Sequence, residues 1–142
     1  MRSVYPADIE GEEGHLLLSF PDVPEAHTEA RTRRQLAPRA RDCLIAALGG
    51  YVALDRPIPK PSAAKRGQHK VALPALIAAK LALYQAMRGS KVSNVNLAKR
   101  LGLSEGAVRR LLDLDHRSHI DAVERALNAL GRNLSVEVRP AA

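Results

Sequence analysis

One cysteine, one phenylalanine, three tyrosines and no tryptophan are a sparse supply of sulfur and aromatic rings for 142 residues. Cys43 has no second cysteine to pair with, so an internal disulfide is excluded, and nothing around it has metal-ligand spacing. The chain suits a reducing compartment. The shortage of rings argues against a stacking platform for single-stranded RNA. No run approaches the roughly 20 apolar residues of a membrane span, and the opening MRSVYPADIE has no apolar stretch of the kind a secretory signal needs. A cytoplasmic protein that makes no membrane contact is expected.

Basic residues are nearly absent from the first 30 positions, and acidic ones become scarce after them. Residues 1–30 carry seven acids against Arg2; residues 31–70 carry ten Lys or Arg against Asp42 and Asp55; residues 71–142 carry eleven bases and six acids. The net charge of +7 favours a polyanionic partner through counterion release, without identifying one. A chain of this length fits one ordinary domain or two small ones.

The first segment alternates. Tyr5, Ala7 and Ile9 share one side of an extended chain and Leu16, Leu18 and Phe20 share one side of the next, separated by the polar EGEEG. This predicts a β-hairpin with a loop longer than two residues, in which Asp8 and Glu10 point outward and Glu12 and Glu13 lie in the turn. Beyond Pro21 and Pro24, AHTEA offers a weak third strand. Thr32 and Gln35 fit a capping box, and Ala40, Cys43, Leu44, Ala47, Leu48 and Tyr51 follow at helical spacing. Pro38 removes a backbone donor after the first turn, so the helix either starts later or kinks. Gly49 and Gly50 loosen its end, and RPIPKPSAAKRGQ reads as a linker or long loop at about 57–68. HKVAL offers one more strand.

The second half is helical. Pro74 suits the first turn of a helix over 74–88, with Leu76, Leu83 and Met87 on one face and Gly89 and Ser90 as its stop. Ser93 caps a helix over 94–101 carrying Leu97, Ala98 and Leu101; Gly102 supplies a left-handed turn, and Ser104 caps a helix over 104–113 whose Val108, Leu111 and Leu112 pack back. The three-residue GLS connection holds the pair at a steep angle. A last helix with Ile120, Val123, Leu127 and Leu130, stopped by Gly131, completes a small bundle, and NLSVEV at 133–138 is a candidate closing strand.

The pattern S-N-x-x-L-A-x-x-L-G-L-S-x-x-x-V-x-x-L resembles the repressor-type helix-turn-helix, with Asn94 where Gln is commoner. In that geometry Glu105, Gly106, Arg109 and Arg110 face the major groove, where an Arg bonding guanine bidentately is worth about 1–3 kcal/mol of discrimination. Ser93, Asn94, Lys99, Arg117, Ser118 and His119 are the candidate phosphate-side contacts, and the capping Ser104 is counted with the DNA-binding residues. The bland alternative is a solvated face on a helical hairpin.

YPADIEGEEGHLLLSFPDVPEAHTEA, followed by a helix and RPIPKPS, is similar to the HicB antitoxin family, and the tail from ALYQAMRGS to ALGRNL resembles that family's helix-turn-helix version. The resemblance implies an α+β N-terminal module (residues 1–73) of β-β-β-α-β order with a partial RNase H-like fold, joined to an all-α DNA-binding module (residues 74–142). It also implies an antitoxin that covers a HicA-type toxin, a small basic mRNA-cleaving ribonuclease, and represses its own operon. Two features depart from the family pattern. Glu25-Ala26 replace the usual small or Gly-Cys pair, and the helix opening carries Arg31, Arg33, Arg34, Arg39 and Arg41 where acids are common.

No catalysis is expected. Asp8, Glu10, Glu12 and Glu13 read as a solvated acidic edge rather than metal-bound carboxylates, and His116 and His119 lack a third ligand, so neither metal nor cofactor is implied. The resemblance implies a toxin-facing surface on the sheet and helix of residues 3–55. Phe20, Asp22 and Val23 of the FPDVP corner are its candidate contacts, although a Pro-bounded apolar corner is equally a structural turn. One recognition helix buries too little surface for tight specific binding, so a homodimer or higher homo-oligomer is expected, with half-sites about 34 Å apart and NLSVEV pairing with its symmetry mate. The competing readings are a helix-turn-helix repressor with a ligand-sensing N-terminal module and a nuclease using the acidic hairpin.

Overall fold

The computed structural model describes residues 3–141, and their contacts divide the chain into two compact units, Met1–Leu73 and Pro74–Ala142. The first is a four-stranded antiparallel sheet with one long helix and the second is built of four helices, which makes the protein a mixed α+β one.

In the first unit β1 (Val4–Glu12), β2 (His15–Phe20) and β3 (Val23–Ala30) form a meander. After α1 (Arg33–Ala53), β4 (His69–Ala72) lies against β1, so the strand order is β3-β2-β1-β4. The alternation has its expected consequence. Tyr5, Ala7, Leu16, Leu18 and Phe20 are buried together on one face, whereas Leu17 points the other way and is 44% exposed. Helix α1 answers that face with Leu36, Ala40, Leu44 and Leu48, every fourth residue, all buried. Each fully buried leucine contributes about 1.5–3 kcal/mol relative to an exposed one.

Two local expectations are corrected here, and the start of α1, left open by Pro38, is fixed. The hairpin loop is only Glu13-Gly14, because Glu12 pairs with His15 and Gly11 with Leu16. EGEEG is polar because it is exposed, and a ladder of backbone hydrogen bonds does not require apolar side chains. Gly11 (φ +93°) permits this path, since a Cβ there would collide with the His15 carbonyl oxygen. Helix α1 begins before Pro38 and runs through it: Thr32 Oγ1 accepts from the Gln35 N–H at 3.3 Å and Gln35 Oε1 accepts from the Arg31 N–H at 3.1 Å, so the first turn is secured upstream of the proline. Gly49 and Gly50 do not end the helix. It continues to Ala53, with Tyr51 buried in its last turn and bonded to Glu25 at 2.7 Å, and the chain turns away at Asp55 (φ +52°).

The proline-rich stretch after α1 is not a free linker. Ile58 is 6% exposed, Tyr5 Oη donates to the Pro59 carbonyl at 2.7 Å, and Ser62 donates from its N–H and its hydroxyl to Asp22 at 2.8 and 2.9 Å. These ties return the chain to the sheet edge, where β4 forms.

The second unit consists of α2 (Ala75–Ser90), α3 (Asn94–Leu101), α4 (Glu105–Leu112) and α5 (Ile120–Ala129). Pro74 is the N-cap of α2 rather than its first turn, and Gly89 and Ser90 remain helical; the stop is Lys91, left-handed at φ 55°. The core joins Ala79, Leu83, Ala86 and Met87 of α2 to Leu97, Ala98, Val108, Leu111, Val123, Ala126 and Leu127. Ile120 is 42% exposed, contrary to its expected core place, while Ala126 is buried in the core. NLSVEV is not a strand in this chain: Leu134 rests on the helical core, while Val136 and Val138 are 76% and 92% exposed. A strand needs a neighbour with unpaired backbone groups, and the helices of this unit have already used theirs.

Candidate nucleic-acid and partner interfaces

The α3–α4 pair is held at both ends of its turn by hydrogen bonds the residues dictate. Ser93 Oγ accepts from the Asn96 N–H at 3.1 Å, which starts α3. At its end Gly102 (φ 67°) donates to the Lys99 carbonyl at 3.3 Å and Leu103 N–H returns to Ala98 at 2.9 Å, the double closure that a left-handed glycine allows. Ser104 Oγ then accepts from the Ala107 N–H at 3.1 Å and α4 begins. With Leu97 and Ala98 buried against Val108 and Leu111, the opposite side of α4 faces solvent.

That side carries Glu105, Arg109 and Arg110, all exposed, with Gly106 half-buried between them. The Glu105 carboxylate and the Arg109 guanidinium pair one helical turn apart at 2.6 Å. Arg110 keeps its guanidinium outside any ion pair among the described residues. Of the candidate phosphate contacts, Lys99, Arg117 and His119 are exposed and Asn94 is half-buried. The hydroxyls of Ser93 and Ser104 serve as helix caps, and Ser118 Oγ donates to the Arg110 carbonyl at 3.3 Å.

Sequence reasoning passed over Lys80. Its side chain is fully buried and its ammonium donates to three backbone carbonyls: Arg110 at 2.9 Å, Asp113 at 2.6 Å and His116 at 2.7 Å. An ammonium has three donors, and all are used. These oxygens belong to the C-terminal end of α4 and the turn after it, where helical carbonyls lose their own partners and the dipole favours a cation. Burial pulls the Lys80 pKa below the usual lysine value, and the Asp113 carboxylate opposes that shift. The available signal was a single charge inside the apolar run LIAAKLALYQAM.

In the first unit, Phe20 and Val23 are 1% and 0% exposed, so their side chains hold the core and are not offered to a partner. Asp22 is engaged with Ser62. Asp8 accepts from Gln68 Nε2 at 3.0 Å, and Glu10, Glu12 and Glu13 are exposed. Among the described residues no group of three His, Cys, Asp or Glu is placed to hold a metal ion, and no helix is long and apolar enough to cross a membrane.

Residues 4–82 match a family profile described as the HicB_like antitoxin of bacterial toxin-antitoxin systems. The chain is 39% identical to "Antitoxin HicB 2" of Photorhabdus laumondii, covering 93% of this chain and 94% of that one. It is 38% identical to "Antitoxin HicB" of Pseudomonas fluorescens, over 96% and 94% of the two chains. With "Antitoxin HicB" of Escherichia coli K12 the identity is 36%, over 87% and 90%.

Proposed function

The chain belongs to the HicB-like antitoxins, a family that acts by binding rather than by catalysis, and from that premise we propose that it neutralises a HicA-type mRNA-cleaving ribonuclease and represses its own operon. In this reading the first unit, with a partial RNase H-like fold, covers the toxin and the helical unit binds operator DNA. The observation that carries it is coverage: relatives named antitoxins align over 87–96% of this chain, and so across both units.

The capped α3–α4 turn supports DNA binding. Helix α4 is the recognition helix, with Arg110 reading a guanine edge and Arg109 held in register by Glu105. Lys99, Arg117 and His119 approach phosphates. Two recognition helices are required, and the exposed Val136 and Val138 support a dimer in which NLSVEV pairs with the same segment of a second copy. The reading places the protein in the cytoplasm.

Two measurements test it. A small basic protein is expected to be encoded beside this chain's gene, toxic alone and harmless when both are co-expressed; toxicity that persists rules out the antitoxin assignment. Arg109→Ala and Arg110→Ala are each expected to weaken operator binding by about 1–3 kcal/mol at one stated salt concentration while leaving toxin binding unchanged. Undiminished affinity in both variants removes α4 from the groove.

A further inference from the structure

Helix α1 covers only one face of the sheet, and the other face has a definite charge. Strand register aligns Glu10 of β1, Leu17 of β2 and Glu29 of β3 in a single row, since Glu10 pairs with Leu17 and Leu17 with Glu29. The adjoining row is Asp8, Ser19 and His27. Neighbouring strands lie about 4.8 Å apart, and alternate residues of one strand about 6.7 Å apart. The face therefore presents an exposed leucine flanked by two carboxylates, with a third carboxylate one row away. Glu10 and Glu29 are exposed, and neither is in an ion pair among the described residues, in a chain that holds 22 Lys and Arg. Five arginines stand at 31, 33, 34, 39 and 41, at the start of α1 and just before it; Arg39 donates to the Glu29 backbone carbonyl at 2.8 Å, and among the described residues none pairs with the Glu10 or Glu29 carboxylate.

An antiparallel sheet with one wet face is ordinary, and a single exposed leucine needs no explanation. What calls for an occupant is the sign of the charge. A net-positive chain leaves two carboxylates outside any ion pair among the described residues, one on each side of an exposed leucine and two strand spacings, about 9.6 Å, apart. A surface that binds RNA must be basic for the same electrostatic reason, and such a surface is complementary to this face.

We propose that the open face of the sheet, centred on Leu17 between Glu10 and Glu29, docks onto the basic RNA-binding surface of the partner ribonuclease and so competes directly with its RNA. The proposal rests on the antitoxin reading and adds where and how the toxin is held. Leu17 enters an apolar gap on the partner, and the carboxylates take the lysines or arginines that would otherwise hold phosphates. Phe20 and Val23 have no contact role, because they face α1.

The test uses the full chain and the basic protein of the adjoining reading frame, with binding followed by titration calorimetry and by displacement of a labelled RNA oligonucleotide. Glu10→Lys/Glu29→Lys and Leu17→Arg are each expected to weaken binding at least about tenfold and to abolish RNA displacement. Arg34→Glu/Arg41→Glu, on α1, is expected to stay within about twofold of wild type. Glu10→Gln/Glu29→Gln, which reverses no charge, guards against misfolding and is expected to weaken binding and flatten its salt dependence. If wild type binds but these sheet variants bind equally well, or if RNA and this chain occupy the partner together, the docking face is wrong. If wild type does not bind the partner at all, the antitoxin reading itself fails.

Discussion

At the scale of single residues, two side chains carry more of the structure than their type suggests. Lys80 supplies donors at the end of α4, so Lys80→Met removes three charge-assisted bonds from carbonyls that keep only the Ser118 hydroxyl, the His116 N–H and the Ser118 N–H as partners. Its expected cost is about 2–4 kcal/mol, seen as a lower urea midpoint. Lys80→Arg does not restore it, because a planar guanidinium cannot point donors at three converging oxygens; a wild-type midpoint in either variant contradicts this account. Tyr5 gives a pH signature. Burial, aided by the Asp22 carboxylate, pushes its phenol from 10.0 up to about 12. A pKa raised by folding contributes stability that is intact below pH 10 and is lost as pH climbs toward 12. Tyr51, raised by its bond to Glu25, adds to the same alkaline loss. Tyr5→Phe is expected to start about 1 kcal/mol less stable, for want of the Pro59 bond, and to lose less between about pH 10 and 12. Parallel curves for the two proteins exclude Tyr5 as the titrating group.

At the scale of elements, α1 tolerates Pro38 because it is secured from both sides: Thr32 and Gln35 fix its first turn, and Leu36, Ala40, Leu44 and Leu48 bury the stripe that spans the proline. The proline still denies a hydrogen bond to the Arg34 carbonyl. Pro38→Ala is thus expected to stabilise the chain, by as much as about 3 kcal/mol in thermal or urea unfolding; no gain means that the helix bends to compensate. Periodicity made α3 and α4 readable to within a residue, since their caps, turn glycine and core positions coincide within one short stretch. The ends of α1 and α2 were not readable from glycine alone. Local preference for stopping is worth about 1 kcal/mol per glycine, less than the burial of Tyr51 or Met87 that keeps the last turns wound.

At the scale of the whole molecule, charge and function divide together. The acidic open face of the sheet lies in the unit assigned to the toxin, and the exposed arginines of α4 lie in the unit assigned to DNA. The dimer expected for operator binding turns on the tail. Val136→Asp/Val138→Asp alters two side chains that are 76% and 92% exposed, so the single chain is expected to fold as before. Sedimentation is expected to show a loss of dimer and gel shift a loss of operator affinity, with toxin binding kept. A variant that remains dimeric removes the tail from the interface.

From the sequence alone come the capped α3–α4 pair with its glycine turn, the hairpin with its buried alternation, the antitoxin family and the division of acid from base. Each of these depends on residues close together in the chain, or on composition, and so leaves a local pattern. Tertiary structure alone decided that Phe20 and Val23 are core, that the proline-rich segment is tied to Asp22 and Tyr5, that Lys80 closes α4, and that Glu10, Leu17 and Glu29 form one row. Those facts join residues 7 to 54 positions apart. Strand register and helix packing bring them together, and neither leaves a mark in the local order of residues.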